Sequence, residues 1–341
     1  MSDTPASLGY RMPAEWEKHQ GTWLSWPKDP STFPGEILRR VEATYEKMVK
    51  SLARGEDVHI LVDDAKEAAR VGAMLGGVER VSFAQIRTVD VWTRDYCPIY
   101  VKGQDLALVK WKFNAWGEKY EDLKPDDEAG NRVADSTGLM VFRPNLVLEG
   151  GSVDVNGTGS LITSEQCLLN RNRNPTESRR DLEKALEDYL GARNVVWLKN
   201  GIEGDDTDGH VDDIARFVGQ KRVVVGVEPD ESDSNHEVLE RNLHIIEEAV
   251  DEKGRSLEVT EVPMPERLSS EDGRLPASHL NFYIGNDVVL VPTFGGRSDA
   301  LAVKTVEQAF PDREAVGIDC RALVFGLGTL HCVTQQIPLG A

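Results

Sequence analysis

An α/β fold of five repeated ββαβ units, joined end to end in a ring, is what the sequence predicts. Three observations carry this. Four β-hairpins can be read directly; each is followed by a helix and a lone strand; and the two ends of the chain hold the parts of a fifth unit.

The fifth unit is split between the ends. Leu330–Gln335 is its first strand, Thr22–Trp26 its second, Ile37–Leu52 its helix and Val58–Val62 its lone strand. A helix at Asp64–Leu75 and a strand at Val81–Ile86 are additions to it. The first full unit has a hairpin of Pro98–Val101 and Leu106–Val109 around a Lys102-Gly103-Gln104-Asp105 turn, then a helix at Asp126–Ser136 and a strand at Leu139–Phe142. The second pairs Ser152–Val155 with Ser160–Thr163 around Asn156-Gly157, followed by Thr176–Leu190 and Val195–Leu198. The third pairs Ile214–Val218 with Arg222–Val225 around Gly219-Gln220, followed by His236–Val250 and Leu257–Val262. The fourth pairs Asn281–Ile284 with Val288–Val291 around Gly285-Asn286-Asp287, followed by Asp299–Ala309 and Ala315–Ile318. Gly, Asn and Asp provide the positive φ of such tight turns. Val238, Leu239, Leu243, Ile245, Ile246 and Val250 recur at roughly the spacing of an amphipathic helix. Joining the first and last strands would close the ring and remove exposed sheet edges. An ordinary open α/β sheet is the plainer alternative.

Composition narrows the function. By length, 341 residues are roughly two domains, but a closed repeat fold of this size forms one. We expect residues 1–10 to be flexible and 11–341 to form a single catalytic domain. A net charge of −19 repels nucleic acid and anionic membranes and attracts cations. Cys97, Cys167, Cys320 and Cys332 are too far apart for a zinc knuckle, and a chain this long needs no disulfide framework. Residues 1–10 lack a secretory pattern, and no apolar run approaches the roughly 18–20 residues of a membrane span. The expectation is a cytoplasmic protein with free thiols and no nucleic-acid or membrane partner.

Reactive residues stand at the start of four of the five first strands. They are Trp92-Thr93-Arg94-Asp95, Leu148-Glu149-Gly150-Gly151, Asp208-Gly209-His210-Val211-Asp212 and His331-Cys332. In a ring of equivalent units those ends converge near the axis. A thiol and an imidazole suit nucleophilic catalysis, with the imidazole shuttling protons. Several carboxylates beside them suit a planar cation, whose N–H fork matches carboxylates bidentately. Those carboxylates would also push the thiol pKa up, so protonated His210 or a bound cation must offset them.

Taken singly, each cluster has a plainer reading: Asp208-Gly209-His210 a turn, Glu149-Gly150-Gly151 a strand boundary, Arg94-Asp95 a local ion pair. Cys97, Cys167 and Cys320 read as inert small hydrophobes, and His59, His236 and His244 as structural. His279 falls near the site with its role open. On a strand His331 would point away from Cys332, and so would not be its proton partner.

At these residues the chain resembles the agmatine deiminase family of the guanidino-group-modifying (pentein) superfamily, and also its bacterial peptidylarginine deiminase group. The resemblance runs from Arg11-Met12-Pro13-Ala14-Glu15-Trp16 through Asn114-Ala115-Trp116-Gly117, Leu169-Asn170-Arg171-Asn172-Arg173-Asn174-Pro175 and Asp206-Thr207-Asp208-Gly209-His210-Val211-Asp212 to Gln335-Gln336-Ile337-Pro338. It implies a five-bladed α/β propeller with the site on its axis. It implies Cys332 as the nucleophile on the guanidinium carbon and His210 as general acid, then base. Asp95 and Asp212 would grip the guanidinium with Glu149 beside them, and Trp92, Asn114, Trp116, Asp206, Asp208 and Gly328 would contact substrate. No metal or organic cofactor is implied. The family often forms homo-oligomers. With agmatine the product would be N-carbamoylputrescine; whether this serves catabolism or polyamine biosynthesis is not written in the sequence.

Three departures fall outside the guanidinium-reading residues. Tyr96-Cys97-Pro98 replaces a Gly before the Pro, Gly326-Leu327-Gly328-Thr329 a more glycine-rich run, and Lys28–Pro34 lacks a Trp common in agmatine deiminases. They bear on the substrate tail. The acidic run Asp205-Asp206-Thr207-Asp208 favours a second cation; Arg94, Arg171 or Arg173 would be needed for a substrate carboxylate. A peptidyl-arginine or other arginine derivative, a metal-binding protein using Cys332, His210 and the carboxylates, and a non-catalytic guanidine binder stay open as alternatives.

Overall fold

Five small sheets of one design, with a separate two-stranded ribbon of Ser269–Ser270 and Gly273–Arg274, form the strands of the computed structural model, which describes residues 3–340. In each sheet an inner strand pairs antiparallel with a middle strand, and the middle strand pairs parallel with an outer strand that arrives through a helix. The first blade joins Ile99–Lys102, Leu106–Val109 and Met140–Phe142. The second joins Asp154–Val155, Ser160–Ser164 and Asn194–Leu198. The third joins Ala215–Phe217, Arg222–Val227 and Glu258–Pro263, and the fourth Tyr283–Ile284, Val288–Thr293 and Glu314–Asp319. The fifth pairs Gln335–Pro338 with His19–Ser25, which lies parallel to Asp57–Val62; the extra strand Val81–Gln85 extends that sheet.

Neighbouring blades pack on one another. Helix His236–Glu248 of the third blade covers the outer strand of the second, helix Asp299–Ala309 covers that of the third, and helix Glu36–Leu52 covers that of the fourth. Gln335–Pro338 packs beside Ile99–Lys102 and so joins the fifth blade to the first. The middle strands are buried on both faces, which is why they read as near-continuous runs such as Val223-Val224-Val225. Helix Arg179–Leu190 shows how local signals agree with packing. Ser178 and Asp181 form a capping box, Gly191 ends the helix at φ 73°, and Leu182, Leu186 and Leu190 line its buried face.

The structure corrects one strand and shortens three others. Residues 330–334, expected to open the last strand, form a turn, and the strand begins only at Gln335. The Asn281 side chain causes this, because its Oδ1 accepts from the Thr329 hydroxyl at 2.8 Å and the His331 N–H at 3.0 Å and curls the backbone. Short helical turns at Thr93–Tyr96, Gly150–Ser152 and Val211–Asp213 likewise precede the inner strands of the first three blades. Of the segment expected to be flexible, Met1 and Ser2 lie outside the described residues, and Ala6–Leu8 forms a 3₁₀ turn against helix Arg179–Leu190. Among the described residues no helix is long and apolar enough to cross a membrane.

Candidate active site

The helical turns aim their side chains at the axis, and Gly151 marks where they meet. A Cβ on Gly151 would lie 2.6 Å from His210 Nδ1, 3.0 Å from Asp95 Oδ1 and 3.1 Å from Asp212 Oδ2. Cys332 Sγ lies 3.7 Å from Asp212 Oδ2. Four residues expected to share a site therefore do, and all four are buried.

Each is held differently. Asp95 accepts from Trp116 Nε1 at 2.9 Å and from the Gly151 N–H at 3.0 Å. Burial raises its pKa, and the nearby Asp212 and Glu149 add to that while His210 opposes. His210 Nδ1 stands 3.9 Å from Asp95 Oδ1. Burial alone would push the imidazole pKa down, but Asp95, Cys167 and Asp212 together carry it well above the ordinary value. Neither His210 nitrogen, nor Asp212 Oδ1, has a hydrogen-bond partner among the described residues. Asp212 Oδ2 accepts from His331 Nδ1 at 2.7 Å. Against the cost of burial, His331, His210 and Arg216 hold Asp212 below the usual carboxylate range.

The Cys332 thiol accepts from Asn281 Nδ2 at 3.1 Å. Burial pushes the thiol well up, and Asp212, Asp213 and Asp95 push in the same direction. Without a cation in front of it the sulfur therefore stays protonated. Sequence reasoning had not singled out Asn281 for the site; its place before the fourth hairpin, equivalent to that of the other site residues, was the available signal.

A cavity of about 390 Å³ opens in front of Cys332. Trp92, Trp116, Gly328, Asp95 and Asp206 line it, as expected for a substrate pocket. Gly328 lets the backbone approach closely: a Cβ there would be 2.5 Å from the Trp92 ring and 3.2 Å from Cys332 Sγ. Trp116 sits in a left-handed turn, with positive φ at Ala115, Trp116, Gly117 and Glu118 in succession. Three aromatic rings, of Trp92, Phe113 and Tyr120, meet Trp116 edge to face.

Two expected substrate contacts, Asp208 and Asn114, are elsewhere, and Glu149 lies beside His210 without lining the cavity. Asp208 does not line the cavity; Lys119, Arg173 and Asn172 take its carboxylate at 2.7, 2.6 and 2.9 Å. The cause is the Asp205 side chain, which accepts from the N–H groups of Thr207, Gly209 and His210 and folds the acidic run into a turn. That turn sends Asp206 to the cavity and Asp208 away. Asn114 braces the left-handed turn, accepting from Gly117 N and donating to Asn172 O, each at 2.9 Å. Glu149 is fully buried under Arg173, whose Nε lies 3.0 Å from both carboxylate oxygens.

The possible carboxylate readers are also accounted for. Arg94 does not pair with Asp95; it donates to Gln336 Oε1 at 2.6 Å and to the His331 carbonyl. Neither Arg94, Arg171 nor Arg173 lines the cavity. His279 bonds to Pro292 O and Ser298 Oγ, away from the thiol. Cys167 is buried in the hydrophobic core, as expected, but one side of it meets polar groups. Its sulfur and the ligand atoms of Glu149 and His210 lie within 4.8 Å of one another, the spacing of a metal site. A metal does not fit there, because the Arg173 guanidinium already occupies both Glu149 oxygens and would repel a second cation.

A ring of ββαβ blades with a thiol, an imidazole and unpaired carboxylate oxygen on its axis defines the class of thiol-dependent hydrolases of guanidino C–N bonds. The Porphyromonas-type peptidyl-arginine deiminase family model matches residues 11–338, and the chain belongs to that family. It is 36% identical over 364 residues to an agmatine deiminase of Pseudomonas aeruginosa, covering 99% of this chain and 98% of that one. With an agmatine deiminase of Stutzerimonas stutzeri the identity is 34%, covering 99% and 98%. The solved agmatine deiminase of Enterococcus faecalis superposes with a TM-score of 0.93 at 30% identity, covering 99% and 98%. One from C. jejuni, solved with substrate bound, gives a TM-score of 0.88 at 27% identity, covering 97% of each chain.

Proposed function

We propose that the protein hydrolyses agmatine to N-carbamoylputrescine and ammonia, with residues 11–341 acting as one catalytic unit. One observation carries the choice of substrate. Asp90, Asp95, Asp122, Asp206 and Asp272 line the cavity, and no Lys, Arg or His does so among the described residues. Agmatine is a dication with a guanidinium at one end and an ammonium at the other. Asp95 and Asp212 suit the first, and Asp206, with Asp122 and Asp272, suits the second. Arginine would bring a carboxylate into this acidic wall with no cation to meet it. A peptidyl-arginine would bring neutral amides to the same carboxylates.

In this reading the guanidinium supplies the positive charge that the thiol lacks, so substrate binding and thiolate formation go together. The Cys332 thiolate attacks the guanidinium carbon to form a tetrahedral adduct. His210, positively charged beside Asp95, gives a proton to one amino group, which leaves as ammonia. A Cys332-bound thiouronium remains. His210, now neutral, takes a proton from water as the hydroxide adds to the carbon; the C–S bond then breaks as the hydroxyl proton passes to solvent, releasing the ureido product and the thiolate.

The test is ammonia release with agmatine, arginine and an arginine-containing peptide in parallel, with Cys332→Ala as control and the product identified by mass. Cys332-dependent turnover of agmatine with little or none of the others is expected. Turnover of arginine or the peptide in preference to agmatine would overturn the substrate assignment.

A further inference from the structure

His331 follows Cys332's turn rather than a strand, and this gives it two carboxylate partners. Its Nδ1 lies 2.7 Å from Asp212 Oδ2 and its Nε2 2.8 Å from Glu15 Oε2. Each ring nitrogen is thus within hydrogen-bond reach of a carboxylate oxygen, which pins both edges of the ring. Glu15 comes from the segment before the first strand of the chain. It also meets Arg216 Nη2 at 3.1 Å and Arg94 Nη2 at 3.4 Å, and its Oε1 accepts from Ile284 N at 2.8 Å. Arg216 in turn pairs with Asp154 at 2.6 Å. The result is a buried network that joins three carboxylates, Asp212, Glu15 and Asp154, to His331, Arg94 and Arg216. Such a network keeps its charges in low dielectric only if all are paired.

We propose that His331 is a positioning residue for the deimination: it fixes the carboxylate plane of Asp212 through Oδ2, so that Oδ1 and the remaining lone pair of Oδ2 meet the guanidinium in one orientation. The inference rests on the function proposed above. It gives Glu15, which does not line the cavity, a part in the same device, since Glu15 holds the opposite edge of the ring. The other charged groups facing this pair are Asp213, Asp95, His210 and the Cys332 thiol. None of them is hydrogen-bonded to the imidazole, so none can replace either contact.

Two conservative substitutions separate the two edges of the ring. His331→Asn places an amide near the Nδ1 position and keeps a donor for Asp212; His331→Gln reaches the Nε2 position and keeps a donor for Glu15. Both remove the imidazole that helps hold Asp212 below the usual carboxylate range, and Asp212 must be ionised to grip a cation. The acid limb of kcat/KM is therefore expected to move to higher pH in both, by roughly one unit. Above that limb kcat/KM of His331→Gln is expected to fall at least about tenfold below that of His331→Asn, with kcat lower and KM higher, because it alone leaves Asp212 unoriented.

Thermal melts establish which variants fold. If only His331→Asn folds, it must keep kcat within about threefold of wild type on the plateau and show the shifted acid limb; failing either, the inference is wrong. Equal losses in two folded variants, or an acid limb that stays in place, would also overturn it and would leave His331 a structural residue. Wild-type protein that releases no ammonia from any guanidine would sink the functional reading instead, so the two failures are told apart.

Discussion

Gly151→Ala removes no chemical group, yet the structure expects it to disable the enzyme. The new methyl would lie 2.6 Å from His210 Nδ1, where an unstrained contact is about 3.5–4.0 Å. It would also sit 3.0 Å from Asp95 Oδ1 and 3.1 Å from Asp212 Oδ2. His210 is about 1 Å short of room and, being 1% exposed, has nowhere open to retreat. A misplacement of about 1 Å in a catalytic group costs roughly 10²-fold in rate. The φ of Gly151 is outside the left-handed region, so the backbone accepts alanine without strain. The stability cost is then that of mild overpacking, about 1–3 kcal/mol, partly offset by the lower entropy of the unfolded chain. The assay is steady-state kinetics on agmatine together with a thermal melt. Turnover within about threefold of wild type in a folded variant would refute the idea that these three groups are fixed around this glycine.

Further outcomes follow from the same geometry. Burial raises the Asp206 pKa to about 6, so its charge is lost as pH falls through that value; KM for agmatine is expected to climb between about pH 7 and 5, and Asp206→Asn to raise KM and flatten the climb. A pH-independent KM in wild type would count against an ammonium at Asp206. Trp116→Phe keeps the ring but removes the N–H donor to Asp95, one of the few influences opposing its raised pKa, so the acid limb of kcat/KM should move upward with a loss of roughly tenfold or more, measured as a pH–rate profile. Arg173→Met leaves Glu149 buried without its cation and should cost about 3–5 kcal/mol in urea unfolding. A loss under about 1 kcal/mol would mean that the pair is not a structural one.

Much of the architecture was legible because each blade repeats the same local statements: a tight turn with Gly or Asn, a buried apolar middle strand, an amphipathic helix. The fifth blade was readable because its halves match what the other four lack nowhere else. Residues 330–334 were misread because apolar and β-branched residues such as Leu330, Val333 and Thr334 suit a strand, and nothing local announces that the Asn281 side chain, some fifty residues earlier, will bend them. The site followed the same division. Cys332, His210, Asp95 and Asp212 could be placed by register alone. The fates of Asp208, Asn114 and Glu149 could not, because they depend on which of several nearby partners, Lys119, Asn172 or Arg173, each one meets in space. Cys167 was taken for a small hydrophobe because only the fold brings it beside His210.

The five blades each give something to one reaction centre: Asp95, then Gly151 with Glu149, then His210 with Asp212, then Asn281, then Cys332. A site confined to one lobe could survive the fraying of another. Here it cannot, since the opening of any unit withdraws a member of the constellation. Catalytic activity is thus a gauge of the weakest blade: under denaturant, turnover should vanish with the first local opening, at or before the loss of bulk secondary structure and never after it.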